Sequence, residues 1–129
     1  MSATDKYPAP ESNPETEPFW AAAREGKLML KRCTKCNELH YYPRTICPFC
    51  FSDETNWVEA SGTGTIYTYS VMRRVPSPYA IAYVTLDEGV SLMTNIVDHD
   101  LDDLRIGQRV KLVFKESASG QPVAMFTPT

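Results

Sequence analysis

From Trp57 onward the chain is a succession of alternating, β-branched and aromatic runs separated by Gly, Pro and Asp turns, the texture of short β-strands. Trp57 to Ala60 reads as a strand that bends at Gly62 and Gly64, and Thr65 to Arg73 continues it with Ile66, Tyr67, Tyr69 and Val71. Tyr79 to Leu86 follows Pro76 and Pro78 as a second strand. Asp87-Glu88-Gly89 then turns the chain into a third, Val90 to Val97. Asp100 to Arg105 predicts one short helical turn, with Asp100 as its cap and Gly107 as its stop. Arg109 to Phe114 and Pro122 to Phe126, joined through Ser119-Gly120, are the last two strands. Three meandering strands, a short helix and two more strands is the order of a five-stranded OB-fold barrel, assigned here to residues 55–129.

The pattern before Trp57 is different. Residues 1–15 are rich in Pro, Ser, Glu and Asn, lack apolar periodicity and read as a flexible leader. Residues 16–30 form a helical segment. Thr16 is placed to cap it, Glu17 suits the positive end of the helix dipole, and Pro18 fits the first turn. Phe19, Trp20 and Ala23 share one face, Gly26 stops the helix, and Leu28-Met29-Leu30 enters a short strand. Residues 31–54 hold all four cysteines. The fold class is therefore mainly β, with a helical segment and a cysteine-rich module ahead of the barrel.

Composition narrows the classes of function. The chain has 129 residues, 43% of them apolar and 22% charged, enough for a small module joined to a modest globular domain. No apolar run is long enough to span a bilayer, and the start lacks a basic and then hydrophobic stretch, so the expected location is cytoplasmic and no membrane partner is implied. The net charge of −3 opposes a nucleic-acid partner, because neutralising many phosphates calls for a basic excess.

The cysteines carry the clearest chemistry. Cys33-x-x-Cys36 and Cys47-x-x-Cys50 are separated by ten residues. A two-residue gap lets one tight turn present two sulfurs at adjacent corners of a tetrahedron, and two such knuckles close the shell. Four protein ligands leave no open position, so the expected metal, one zinc per chain, is structural, and its binding energy becomes folding energy. Iron would use the same four sulfurs and the spacing does not separate the two; nothing nearby points to electron transfer, which favours zinc. A knuckle prefers Gly or Asn after its second cysteine, where the backbone turns left-handed. Asn37 satisfies this and Phe51 does not, so the second knuckle is expected to be looser or differently turned.

Other candidates are weaker. His40 lies within the cysteine module but faces a filled shell, and reads as a surface histidine. Asp98-His99-Asp100 has the look of a catalytic pair, yet it falls in a turn with no nucleophile beside it. There is no phosphate loop, serine elbow or helical histidine pair. No catalytic residue is assigned, and the chain is expected not to be catalytic alone.

From Pro18 to its end the sequence resembles a family of zinc-ribbon and OB-fold proteins long catalogued as a domain of unknown function. Phe19-Trp20, the paired knuckles, Tyr42-Pro43-Arg44, Gly62-Thr63-Gly64-Thr65-Ile66-Tyr67 and Leu104-Arg105-Ile106-Gly107 carry the match. The resemblance implies a rubredoxin-like zinc ribbon over residues 31–54. It also implies a thiolase-fold catalytic partner acting on acyl-CoA thioesters: a thiolase, or a lipid-transfer-protein-type retro-aldolase that shortens steroid side chains. The small chain would support the assembly, a two-plus-two hetero-oligomer by analogy with dimeric thiolases, and in some cases would contact the thioester.

Phe19, Trp20, Tyr41 and Tyr42, with Phe49, could anchor such a partner or fill the space between ribbon and barrel. Lys31, Arg32, Lys35 and Arg44 make the ribbon locally basic and suit CoA phosphates, acidic partner residues or plain solvation. The competing reading is a single-stranded nucleic-acid-binding barrel that stacks bases on Tyr67, Tyr69, Tyr79 and Tyr83. A third is an enzyme using His99.

Overall fold

The structure, a computed structural model, describes residues 7–129. The first six positions of the expected leader lie outside the described residues. The remainder of that stretch makes specific contacts. Tyr7 forms a bridge to Ser117, and the Glu15 carboxylate accepts from the Thr45 N–H at 2.6 Å.

Helix α1 spans Glu17–Arg24 with Pro18 in its first turn. Thr16 stands at the N-cap position but makes no side-chain cap. Asn13 does the work instead. Its Oδ1 accepts from the Thr16 N–H at 3.0 Å and its carbonyl from the Glu17 N–H at 2.8 Å, so an upstream turn, invisible to helix periodicity, satisfies the exposed donors. Phe19, Trp20 and Ala23 are the buried face, as their spacing predicts. Gly26, at φ 79°, ends the helix in the left-handed conformation that costs glycine least.

Two sheets follow. Strands β1 (Met29–Cys33), β2 (Leu39–His40) and β3 (Thr55–Glu59) form a three-stranded antiparallel sheet in the order β2-β1-β3. Strands β4 (Thr63–Met72), β5 (Tyr79–Leu86), β6 (Ser91–Ile96), β7 (Arg109–Glu116) and β8 (Pro122–Pro128) close a barrel in the order β4-β5-β6-β8-β7. A short 3-10 turn at Leu101–Asp103 sits between β6 and β7, capped by Asp100 as expected. This is the OB-fold order. Closure depends on one parallel bridge, Ile96 to Phe126.

The strand read near Trp57 does exist, but it does not begin the barrel. Five residues of β3 pair with β1, Lys31 opposite Trp57. Alternation along a strand specifies which side is inward, not which neighbour it bonds. The break falls at Gly62, whose φ of 84° turns the chain out of one sheet and into the other. Gly64 serves a different need: a Cβ there would lie 2.7 Å from the Thr85 carbonyl oxygen, so β4 crosses β5 too closely for any side chain.

The interior is continuous. Phe19, Trp20, Leu28 and Leu30 belong to the same buried cluster as Ile66, Val84, Leu86, Ile96, Val110 and Phe126. The helix and the first ribbon strand are thus packed onto the barrel, each buried aliphatic or aromatic residue contributing about 1.5–3 kcal/mol. Gln121 ties the unit further, donating to the Trp20 carbonyl and accepting from Arg24. No helix among the described residues is long and apolar enough to cross a membrane.

Candidate metal centre

The four cysteines lie on two loops with the same construction. After β1, the Asn37 N–H donates to the Cys33 carbonyl at 2.8 Å and the Cys33 N–H to the Glu38 carbonyl at 3.0 Å. In the second loop, Phe51 N–H donates to the Cys47 carbonyl at 2.9 Å and Cys47 N–H to the Ser52 carbonyl at 2.8 Å. Asn37 and Phe51 have φ of 65° and 66°. The second knuckle is therefore not looser or differently turned, contrary to what its phenylalanine suggests. Phe51 adopts the left-handed conformation at a cost of about 1–2 kcal/mol. Its ring is 77% exposed, so no packing opposes the geometry that the sulfurs require.

The sulfurs converge. All four Sγ atoms lie within 4.8 Å of one another, with Cys33 to Cys50 at 3.5 Å and Cys36 to Cys47 at 3.7 Å. A tetrahedral metal with bonds of about 2.3 Å sets sulfurs about 3.8 Å apart, so the set fits one ion. Backbone donors favour thiolate. The N–H groups of Cys36 and Phe49 point at the Cys33 and Cys47 sulfurs. That of Cys36 draws the Cys33 thiol down to about 7. At Cys36 the N–H of Glu38 pulls the same way, but burial and the neighbouring sulfurs win and the thiol rises to about 12. Four crowded sulfurs cannot all be anionic without a cation among them, which is the chemistry of a metal-binding set.

The remaining predicted residues fall away from this centre. His40 is 4% exposed, a buried rather than a surface histidine, because β2 pairs it against Lys31. Its Nε2 accepts from the Arg44 N–H at 3.2 Å, and burial holds the imidazole below its ordinary pKa. It stitches the loop between the knuckles and is not directed to the sulfurs. Lys31 is likewise not part of a solvated basic face: it is 9% exposed, with Nζ 4.4 Å from the centre of the Trp57 ring. Only the cross-strand register could have revealed that pair. Arg32 is engaged with Asn37 and Arg44 with Glu15.

Phe19 and Trp20 are 3% and 8% exposed, so both face the interior of their own chain. Tyr41 and Tyr42 are half-buried and pack edge-on with them, Phe19 to Trp20 at 4.9 Å and Phe19 to Tyr42 at 5.3 Å between ring centres. The quartet fills the space between helix, ribbon and barrel. The residues around His99 disperse: Asp98 pairs with Lys115 at 2.7 Å, Asp100 caps the 3-10 turn, and His99 Nε2 is 3.5 Å from Asp103.

Two family profiles match in tandem. Residues 20–56 match the "ChsH2, rubredoxin-like zinc ribbon domain" and residues 57–115 the "ChsH2, C-terminal OB-fold domain". A DUF35 domain-containing scaffold protein of Methanocaldococcus jannaschii is 37% identical over 104 residues, covering 74% of this chain and 74% of the relative. The chain belongs to the ChsH2/DUF35 family. A probable enoyl-CoA hydratase alpha subunit of Thermomonospora curvata is 35% identical over 94% of this chain, which spans only 40% of that relative's length. A benzoylsuccinyl-CoA thiolase subunit of Geobacter metallireducens is 29% identical over 63% of this chain and 57% of its own. Among solved structures, one described as "Ltp2-ChsH2(DUF35) aldolase" superposes with a TM-score of 0.83 at 34% identity. That match covers 93% of this chain and 98% of the other.

Proposed function

We propose that this chain is a non-catalytic, zinc-containing accessory subunit of an acyl-CoA-processing enzyme, whose reacting groups reside on a thiolase-superfamily partner. The observation that carries the reading is the closed four-sulfur shell. With every coordination position supplied by Cys33, Cys36, Cys47 and Cys50, the metal holds the ribbon and has no position left for substrate. Support for the setting comes from the family. Relatives named as a hydratase subunit and a thiolase subunit share CoA in their names, and the structural neighbour is described as "Ltp2-ChsH2(DUF35) aldolase". A thiolase or a retro-aldolase of steroid side chains fits that range, in a cytoplasmic two-plus-two assembly.

Native mass spectrometry of the protein purified gently from its host tests this. The expected result is a co-purifying subunit of thiolase size and the mass of one zinc per chain. A lone chain, or a visible absorption band from iron–sulfur charge transfer, would remove the corresponding part of the reading. A second reading, single-stranded nucleic-acid binding, draws on the exposure of Tyr67, Tyr79 and Tyr83. It requires salt-sensitive binding to an oligonucleotide, and the absence of any Lys or Arg from β4, β5 and β6 weighs against it.

A further inference from the structure

The barrel has two unlike sides. β7 carries Arg109, Lys111, Lys115 and Glu116. None of the residues of β4, β5 or β6 is charged, in a chain of which 22% is charged. β5 alternates without a break, burying Ala80, Ala82, Val84 and Leu86 and turning Tyr79, Ile81 and Tyr83 outward. Register brings neighbours alongside: Met72 opposite Tyr79, and Met93 opposite Tyr83. The bulge between Ile66 and Thr68 adds Tyr67, 68% exposed.

These six side chains expose 38–68% of their surface. At roughly 200 Å² for each large side chain, the face presents roughly 600 Å². That is near the roughly 800 Å² that each partner contributes to a standard stable interface, and at the upper end of what a monomer ordinarily leaves bare. Its borders are charged, Arg73 and Arg74 after β4 and Asp87 and Glu88 after β5, giving the apolar centre and polar rim of an interface. Tyrosine and methionine suit such a centre, the first as a rigid anchor and the second as an adaptable filler.

We propose that the outward face of β4, β5 and β6, centred on Tyr83 and Met93, docks an apolar, uncharged patch of the catalytic subunit. The inference rests on the accessory-subunit reading and adds the surface that makes the contact. A phosphate backbone is a poor match for a face without cations. The helix aromatics Phe19 and Trp20 are turned inward and the exposed Phe49 and Phe51 stand on a cysteine loop, so this is the large apolar surface among the described barrel strands.

The test uses the full chain and the thiolase-superfamily subunit identified by native mass spectrometry. Tyr83→Lys and Met93→Lys each place an ammonium at the centre of the face without touching an inward residue; Lys111→Glu on β7 is the control. The expected result is wild-type metal content and melting temperature, with affinity for the catalytic subunit reduced at least tenfold by either lysine and unchanged by Lys111→Glu. Oxidative footprinting of the wild-type complex gives a readout free of mutation, in which Met72 and Met93 become protected. Unchanged affinity, or no protection, would overturn the proposal while leaving the accessory-subunit reading intact. A wild-type dimer that Tyr83→Lys converts to a monomer would assign the face to a second copy, and overturn it too. A wild-type chain that binds no such subunit would remove both.

Discussion

Between Cys33 and Glu54 the buried residues are Cys33, His40, Pro43 and Cys47; no Val, Leu, Ile, Met or Phe is among them. The barrel buries Ile66, Val84, Leu86, Ile96, Val110 and Phe126, each at 2% exposure or less. The two regions have adjoining strands and comparable turn chemistry, yet one is organised around four sulfurs and the other around a hydrocarbon interior. A module of some twenty residues cannot enclose enough apolar surface to offset the entropy of ordering its loops, and four sulfurs positioned to bind a metal ion stand where a core would be. The barrel closes on itself and needs none. Between them, β1 belongs to both: Leu30 enters the shared interior and Cys33 the sulfur cluster.

The largest test of this contrast is to take away the metal. Cys47→Ser, at a fully buried ligand, is expected to reduce bound metal from one per chain to near none. A structural zinc site of this kind contributes an apparent 10–16 kcal/mol or so, so hydrogen exchange across residues 29–59 should lose its protection while β5 and β7 retain theirs. Barrel strands that unprotect in parallel would show that the two regions do not fold separately. The converse change is Phe126→Ala. Removing a ring with no solvent exposure from the barrel's closing strand should cost about 3–5 kcal/mol in a urea titration, with metal content unchanged in the folded protein.

Acid separates the regions in another way. Metal release requires only that thiolates be protonated, so bound metal is expected to fall first as pH is lowered. The barrel holds Asp87 against Arg109 at 2.8 Å; the Arg109 hydrogen bond, helped by Thr63, pulls the Asp87 carboxyl from 3.8 down to about 2. A depressed carboxylate stabilises the fold above its unfolded pKa and ceases to do so as pH falls through its folded value. This contribution is therefore present above about pH 3.8 and lost toward pH 2. A melting series across that window, compared with Asp87→Asn, checks the sign: the difference between the proteins should shrink with acid. The smallest effect lies in the ribbon. Phe51→Asn, which accepts a left-handed backbone more readily, should strengthen metal retention by up to about 1 kcal/mol in a chelator competition.

Much of the barrel was legible beforehand. The limits of β5 coincide with the expected Tyr79 to Leu86, and the 3-10 turn with the segment after Asp100, because proline, Asp-Glu-Gly and an aspartate cap are local signals with local consequences. The four-sulfur centre was legible for the same reason, since each knuckle is built within six residues. Two misread features are local, the left-handed Phe51 and the Asn13 turn that replaces a Thr16 cap; the others involve residues that meet only in the folded chain. Trp57 joins β1 rather than the barrel, Lys31 sits over that tryptophan, and His40 is buried behind the loop that Arg44 closes. Phe19 and Trp20 look the same in sequence whether they meet a partner or the inside of their own chain.

What the sequence by itself determined is therefore the helix, the barrel strands and their order, and the four cysteines placed to bind a metal, because spacing and turn residues act through the backbone nearby. The tertiary structure alone decided which sheet received β3, which aromatics were enclosed, and which were left on the outside of β4, β5 and β6. Burial is a property of what arrives from elsewhere in the chain, and an alternating strand specifies two faces without saying which neighbour will cover either.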